Sequence, residues 1–254
     1  MSISLAANGI PDLYAVLEQE EALPLDHIKC PLSPQSRPEV ERALALRPVL
    51  LHGWGPPRYS VTRPELPEPE LLRALSARSG TPHLSVHLDP APALDGALSE
   101  AELLRRVAAQ AEQLRQLSGV PLLLENMPWY PWRQKPGWGV DPAFIRRALE
   151  AAQAGLLLDL AHARVACWHL GQDVQEYLQQ LPLERVREIH VSGPRLEQDG
   201  LRDRHQLLSE DDWALLAWTM ERAPALTYLT HEYLAEGQPE QLRIELQRLG
   251  GLTR

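Results

Sequence analysis

The stretch GLLLDLAHARVACWH, residues 155–169, drives three leucines into Asp159 and offers His162 three residues later. A carboxylate at the end of a buried run is costly unless something pairs with it. Two readings fit these residues. Asp is a good helix cap, and Asp with His is also a pair of metal ligands. The rest of the chain bears on the choice.

Short apolar runs like this one recur along the chain, and amphipathic stretches follow them. Strands are expected at 3–7, 27–32, 48–54, 83–89, 121–127, 155–161, 187–193 and 226–233. The clearest helix is SEAELLRRVAAQAEQLRQLSG (99–119), with a Ser cap, an acidic first turn and a terminal Gly. Further helical patterns cover 141–153, 172–181, 209–221 and 238–251. About eight strands alternating with about eight helices over 254 residues match a single-domain α/β protein, a (β/α)8 TIM barrel spanning 1–254. A doubly wound open sheet is the alternative. No Gly/Ser-rich linker or charge block cuts the chain. Pro-rich 56–70 and 128–142 read as long loops after strands.

Composition narrows the function classes. The chain is 44% hydrophobic and 23% charged, an ordinary globular balance. Its net charge of -9 argues against bulk attraction to nucleic acid or an anionic membrane. No stretch approaches a membrane span, and the N-terminus lacks a secretory pattern. Cys30 and Cys167 form no metal or disulfide motif and read as packing residues. A soluble protein of the reducing cytoplasm is the expectation.

The strand ends carry the chemistry. VLLH ends at His52, LSVH at His87, LLLE at Glu125, LLLD at Asp159, EIH at His190 and LTHE at Glu232. His162 lies just past Asp159, and RDRH after the seventh strand adds Asp203 and His205. In a barrel these ends converge on one face, where active sites sit. Imidazoles and carboxylates bind Zn, Mn and Fe. Nine such groups are too many for one ion and suit two or three divalent ions. His83 sits at a strand start and belongs to the opposite end of the barrel. His231 alternates with Glu232 and should face the other way. His27 and His169 remain unassigned.

These blocks resemble the xylose isomerase-like TIM barrels, in particular the endonuclease IV type. That type's ligand order is similar to His52, His87, Glu125, Asp159-x-x-His162, His190, Asp203-x-His205 and Glu232, over about residues 48 to 233. The resemblance implies that Glu125 bridges two ions. It implies that His52 and His87 hold the first, Asp159, His190 and Glu232 the second, and His162, Asp203 and His205 a third. A second branch is similar as well, the multinuclear non-haem iron-dependent oxidative enzymes, which modify peptide residues with iron and oxygen. HVSGPRLEQDGLRDRH and the following DDWALL look like their seventh-strand segment, and ARVACWHLG like the segment after their sixth-strand Asp. His162 looks more like the nuclease branch.

Substrate contacts are expected from the aromatic loop WYPWRQKPGWG (129–139), with Trp129, Trp132, Arg133 and Lys135, and from Trp54 and Arg58 in the preceding long loop. Packing of these tryptophans on the rim is the competing reading. Lys29, at the end of the second strand, is a candidate acid/base beside the catalytic candidate Glu125. The expected function is an iron-dependent oxidative enzyme acting on a peptide or small metabolite. The alternatives are a zinc- or manganese-dependent phosphodiester hydrolase, a sugar isomerase or epimerase, or a non-catalytic barrel with structural ions.

Overall fold

In the computed structural model, residues 2–20, 22–54, 59–63, 66, 68–88, 98–132 and 137–254 are described. Arg58, Arg133 and Lys135 lie outside them.

Eight parallel strands close into one barrel. They are β1 (Ser4–Asn8), β2 (His27–Pro31), β3 (Val49–His52), β4 (Leu84–His87), β5 (Leu122–Glu125), β6 (Gly155–Asp159), β7 (Val186–Val191) and, last in the chain, β10 (Tyr228–His231). Between β7 and β10 an antiparallel hairpin intervenes, β8 (Gly193–Glu197) and β9 (Gly200–Gln206). The helices are α1 (Pro11–Gln19), α2 (Ser36–Leu44), α3 (Pro69–Ser79), α4 (Glu100–Ser118), α5 (Pro142–Ala152), α6 (Leu160–Leu170), α7 (Val174–Gln180), α8 (Glu210–Met220) and α9 (Pro239–Thr253). This is the TIM barrel, in one domain, rather than the open sheet. Among the described residues no helix is long and apolar enough to cross a membrane.

Side-chain alternation sorts each strand into an outer and an inner row. Leu51, Leu124, Leu158 and Ile189 join the core between barrel and helices. Their neighbours Leu50, Leu123 and Leu157 are buried outside that core, in the barrel interior. Burying each leucine contributes about 2 kcal/mol, so the leucine-rich strands hold both layers. The helix signals act as expected. Ser99 and Glu102 form a reciprocal capping box on α4, and Gly119 ends it with a left-handed φ of 74°. Ser209 and Asp212 form the same box on α8.

Most strands end one or two residues before the sequence reading places them, and two differences bear on the site. The sixth strand stops at Asp159 instead of 161, because α6 starts at once. The segment after the seventh strand, where the sequence reading places no strand, is a β-hairpin. Its residues pair as Arg195 with Arg202, Leu196 with Leu201 and Glu197 with Gly200, one leucine pair among polar partners.

Both cysteines are buried and free. Burial, with Glu39 nearby, pushes the Cys30 thiol up to about 12. Burial, with Asp173, does the same to Cys167. Thiolate is the reactive form, so the native protein should not react with a disulfide thiol reagent at pH 8. Two thiols should titrate after denaturation. Fast reaction of the native chain would show that these sulfurs are not core groups.

Candidate metal centre

The inner row ends in the predicted cluster. Glu125 is fully buried at the tip of β5. Its Oε2 lies 3.2 Å from His52 Nε2 and 3.1 Å from His87 Nε2. Its Oε1 lies 3.4 Å from His162 Nδ1 and 3.7 Å from His190 Nδ1. His190 Nδ1 also faces Glu232 Oε2 at 3.3 Å and Asp159 Oδ2 at 3.8 Å. Two groups have ligand atoms mutually within 4.8 Å and could each hold an ion. They are His52, His87 and Glu125, and Glu125, Asp159, His190 and Glu232. Glu125 is common to both.

The remaining three predicted ligands sit alongside. His162 Nε2 is 3.2 Å from Asp203 Oδ2. His205 on β9 is 3.5 Å from both Asp203 and Glu232. His205 has a φ of 48°, the left-handed region that costs a non-glycine residue energy. The hairpin thus holds its histidine over the cluster in a strained conformation.

Proximity is not pairing here. His52 Nε2, both oxygens of Glu125, Asp159 Oδ2, His190 Nδ1, Asp203 Oδ1 and Glu232 Oε2 are buried with no hydrogen-bond partner. Buried polar atoms are rarely left so, and nitrogen and oxygen atoms that converge in this way suit cations. The donor set, imidazole and carboxylate, fits divalent first-row metals.

Asp159 is placed to serve both readings. It is the N-cap of α6, its Oδ1 accepting from the His162 N–H at 2.6 Å. Its Oδ2 is the atom turned to the cluster. Asn126 locks the position: its Nδ2 donates to Asp159 O at 2.9 Å, and its Oδ1 accepts from Asp159 N at 2.8 Å. His162 Nδ1 sits 2.9 Å from Asn126 O, so a proton there leaves Nε2 toward Asp203.

Four carboxylates gathered in one buried cluster draw protons. Burial pushes Asp159 up to about 7; the neighbouring carboxylates add to this and His162 opposes it. Burial alone would lower His190, but Glu232 and Glu188 help push it up to about 10. His205 is likewise raised against burial, by Glu232 and Asp203, to about 9. Burial pushes His52 down to about 4, keeping it a neutral imidazole with a free lone pair. A divalent ion would displace the protons on the other histidines, so its uptake releases protons.

Lys29 points into the barrel beneath His190, with Nζ 2.6 Å from Glu188 Oε1. Burial would raise Glu188, but Lys29, His190 and His83 outweigh it and hold the carboxyl well below its usual range. The sequence reading missed Glu188 and Asn126. The available signal for Glu188 was its i, i+2 spacing from His190 on one strand face. His83 enters from the barrel's N-terminal end, 2.8 Å from Glu188. His231 turns outward to Glu245 on α9, at 2.8 Å, as the alternation requires. His169 joins the rim, its Nε2 3.0 Å from Leu201 O. His27 stacks edge-on against Tyr228.

The aromatic loop divides between the two readings. Trp129 packs against Met127, Val140 and Ala166, and Trp138 against Phe144. Trp132 is 55% exposed, stacked on Tyr130 with Arg202 over it at 4.0 Å. The Tyr130 hydroxyl accepts from Asp203 N at 3.2 Å, tying this rim to the cluster. Trp54 lines a cavity of about 230 Å³ with Asn8, Ile10, Lys29, Glu39 and Leu234.

Comparison with known proteins agrees with this geometry. A xylose isomerase domain protein from Alicyclobacillus acidocaldarius superposes with a TM-score of 0.64 at 20% identity, over 99% of this chain and 98% of that one. Endonuclease IV from Thermus thermophilus gives 0.59 at 17% identity over 100% of both chains. At these identities the likeness is one of fold. A UPF0276 protein of Bordetella pertussis is 33% identical over 136 residues, 51% of this chain and 47% of that protein. The chain thus spans about half the length of the curated relatives it matches. The model of the RiPP precursor modification enzymes MbnB/TglH/ChrH matches residues 70–233, from α3 through the hairpin to the residue after Glu232. That match takes in eight of the nine predicted ligands, all but His52, and the chain belongs to the MbnB/TglH/ChrH family.

Proposed function

We propose that this protein is an iron-dependent oxidative enzyme that modifies a peptide. The observation that carries the reading is Glu125, one buried carboxylate with two unpartnered oxygens shared by two ligand groups. The family description, modification of a RiPP precursor, supports a ribosomally made peptide over a small metabolite as substrate. His52, His87 and Glu125 would hold one ion, and Asp159, His190 and Glu232, with Glu125, a second. His162, Asp203 and His205 would hold a third. Bound iron would supply redox chemistry with oxygen that no side chain of the chain can perform alone.

The protein's own part is placement. The barrel walls bury most of these side chains, which strengthens the charge interactions among them. Tyr130 fixes the backbone at Asp203, and the strained His205 is held over the cluster by the hairpin. Trp54 and its apolar neighbours offer a cavity for a side chain, and Trp132 with Arg202 offers an exposed face for a peptide backbone.

The deciding experiment is elemental analysis of protein purified without oxygen and without added metal. Two or three irons per chain are expected. Zinc or manganese at that ratio, with turnover of a phosphodiester or a sugar, would replace this reading by hydrolysis or isomerisation. No metal, and none taken up on reconstitution, would overturn the metal centre altogether.

A further inference from the structure

Six of the eight barrel strands carry a predicted ligand at or next to their last residue. The two that do not, β1 and β2, are neighbours and stand between β10 and β3. The cavity of about 230 Å³ lies at their ends. Asn8 is the last residue of β1 and Pro31 the last of β2, while Trp54 and Leu234 follow β3 and β10. The cavity therefore shares the mouth of the barrel with the cluster. Two of its walls reach the cluster directly. Lys29 Nζ stands against His190 Nε2, and Leu234 N donates to His205 O at 3.0 Å.

The lining is apolar at Ile10, Pro31, Trp54 and Leu234 and polar at Asn8, Lys29 and Glu39. Asn8 is 5% exposed, and its Nδ2 is buried with no hydrogen-bond partner. A buried amide donor is seldom left unpaired, because the water it gave up is not replaced. What this amide lacks is an acceptor that a ligand can bring. Lys29 is buried, and its charge is met by Glu188 at 2.6 Å. Glu39 stands on the exposed side, on α2.

These groups select among ligands. A carboxylate would face Glu39, and the Lys29 charge is already met. An ammonium would face Lys29 and bring no acceptor for Asn8. An apolar end would leave the Asn8 donor unpaired. A carboxamide on an apolar stem avoids all three costs. We propose that this cavity binds a carboxamide side chain, as of glutamine, of the substrate peptide, and that Asn8 is the specificity-determining residue. The ligand oxygen accepts from Asn8 Nδ2, its NH₂ donates to Asn8 Oδ1 or to the Glu39 carboxylate, and its methylenes lie against Trp54 and Leu234. The inference deepens the peptide-substrate reading above.

Fluorine NMR of the full chain labelled with 5-fluorotryptophan tests it. The chain holds seven tryptophans, and the Trp54 resonance is the one lost in Trp54→Phe. Metal is stripped first, so that no probe can bind an ion. The probes are the N-acetyl, N′-methylamide derivatives of glutamine, glutamate, lysine and leucine. The glutamine probe should move the Trp54 resonance saturably and bind at least about threefold more tightly than the other three. Asn8→Leu should weaken the glutamine probe about 3- to 10-fold and make the leucine probe the tighter one. Glu39→Gln, a change at an exposed position that decides the matter even if Asn8→Leu does not fold, should keep the preference for glutamine over leucine and tighten the glutamate probe. A wild-type preference for leucine, glutamate or lysine, equal binding of all four, or an unmoved Trp54 resonance would overturn the proposal. None of these outcomes bears on the metal centre or the oxidative reading, which stand or fall on the metal count.

Discussion

Glu125→Gln should strip the protein of both paired ions at once. The carboxylate offers Oε2 to the His52 and His87 side and Oε1 to the His162 and His190 side. An amide at this position keeps the shape but loses the charge, and its NH₂ cannot serve as a ligand. Burial opposes the Glu125 charge, and His87 and His52 outweigh it, so the carboxyl stays well below its usual range and ionised. Metal content at equal free metal should fall at least about tenfold, and turnover of any substrate with it. Folding should survive, because neither oxygen makes a hydrogen bond that the fold depends on. Thermal unfolding with and without a chelator separates the two effects. Saturation at about a hundred times Kd stabilises a native protein by about 2.7 kcal/mol. The wild-type midpoint should rise on metal addition, while that of Glu125→Gln should not move. A variant that keeps its full metal content would show that Glu125 bridges nothing.

The candidate ligand set was legible because it breaks a rule. Apolar strands that end in His, Asp or Glu place costly groups where burial is greatest, and six strand ends do so in turn. Period-two alternation was enough to send His231 outward to Glu245 while Glu232 faces in. The hairpin was hidden because its pairing rests on backbone bonds between mostly polar residues, with Leu196 and Leu201 its one leucine pair, so GPRLE and GLRDRHQ carry no apolar period. The start of α6 was hidden because Leu160 and Ala161 continue the apolar run of β6, and only the cap geometry of Asp159 marks the change. Glu188 was hidden in REIH, where a charge beside Arg187 reads as solvent-facing. Its burial is visible only once Lys29 and His83 arrive from distant strands.

Asp159 offers the second large effect, because its two oxygens do separable jobs. Asp159→Asn keeps an acceptor for the His162 N–H and loses the anionic ligand. Asp159→Ala loses both. Each should leave one ion on His52, His87 and Glu125 and lose the ion of the other group. Their folding should differ, since loss of a cap costs about 1 kcal/mol. The metal-free chain adds a signature in pH. Burial and the neighbouring carboxylates raise Asp159 to about 7, above its unfolded value of 3.8. A raised carboxyl contributes stability that is fully present below the unfolded pKa and is lost as pH rises through about 7. With a chelator present, Asp159→Asn should therefore match the wild-type chain near pH 4. By pH 8 it should be the more stable of the two, on the order of 2–4 kcal/mol. Urea unfolding at the two pH values measures the gap. If Asp159→Asn is as destabilised as Asp159→Ala at both, and keeps all its metal, Asp159 is a capping residue and nothing more. If the gap opens with pH and an ion is lost, the apolar run of β6 ends in a carboxylate that folding tolerates and a cation requires.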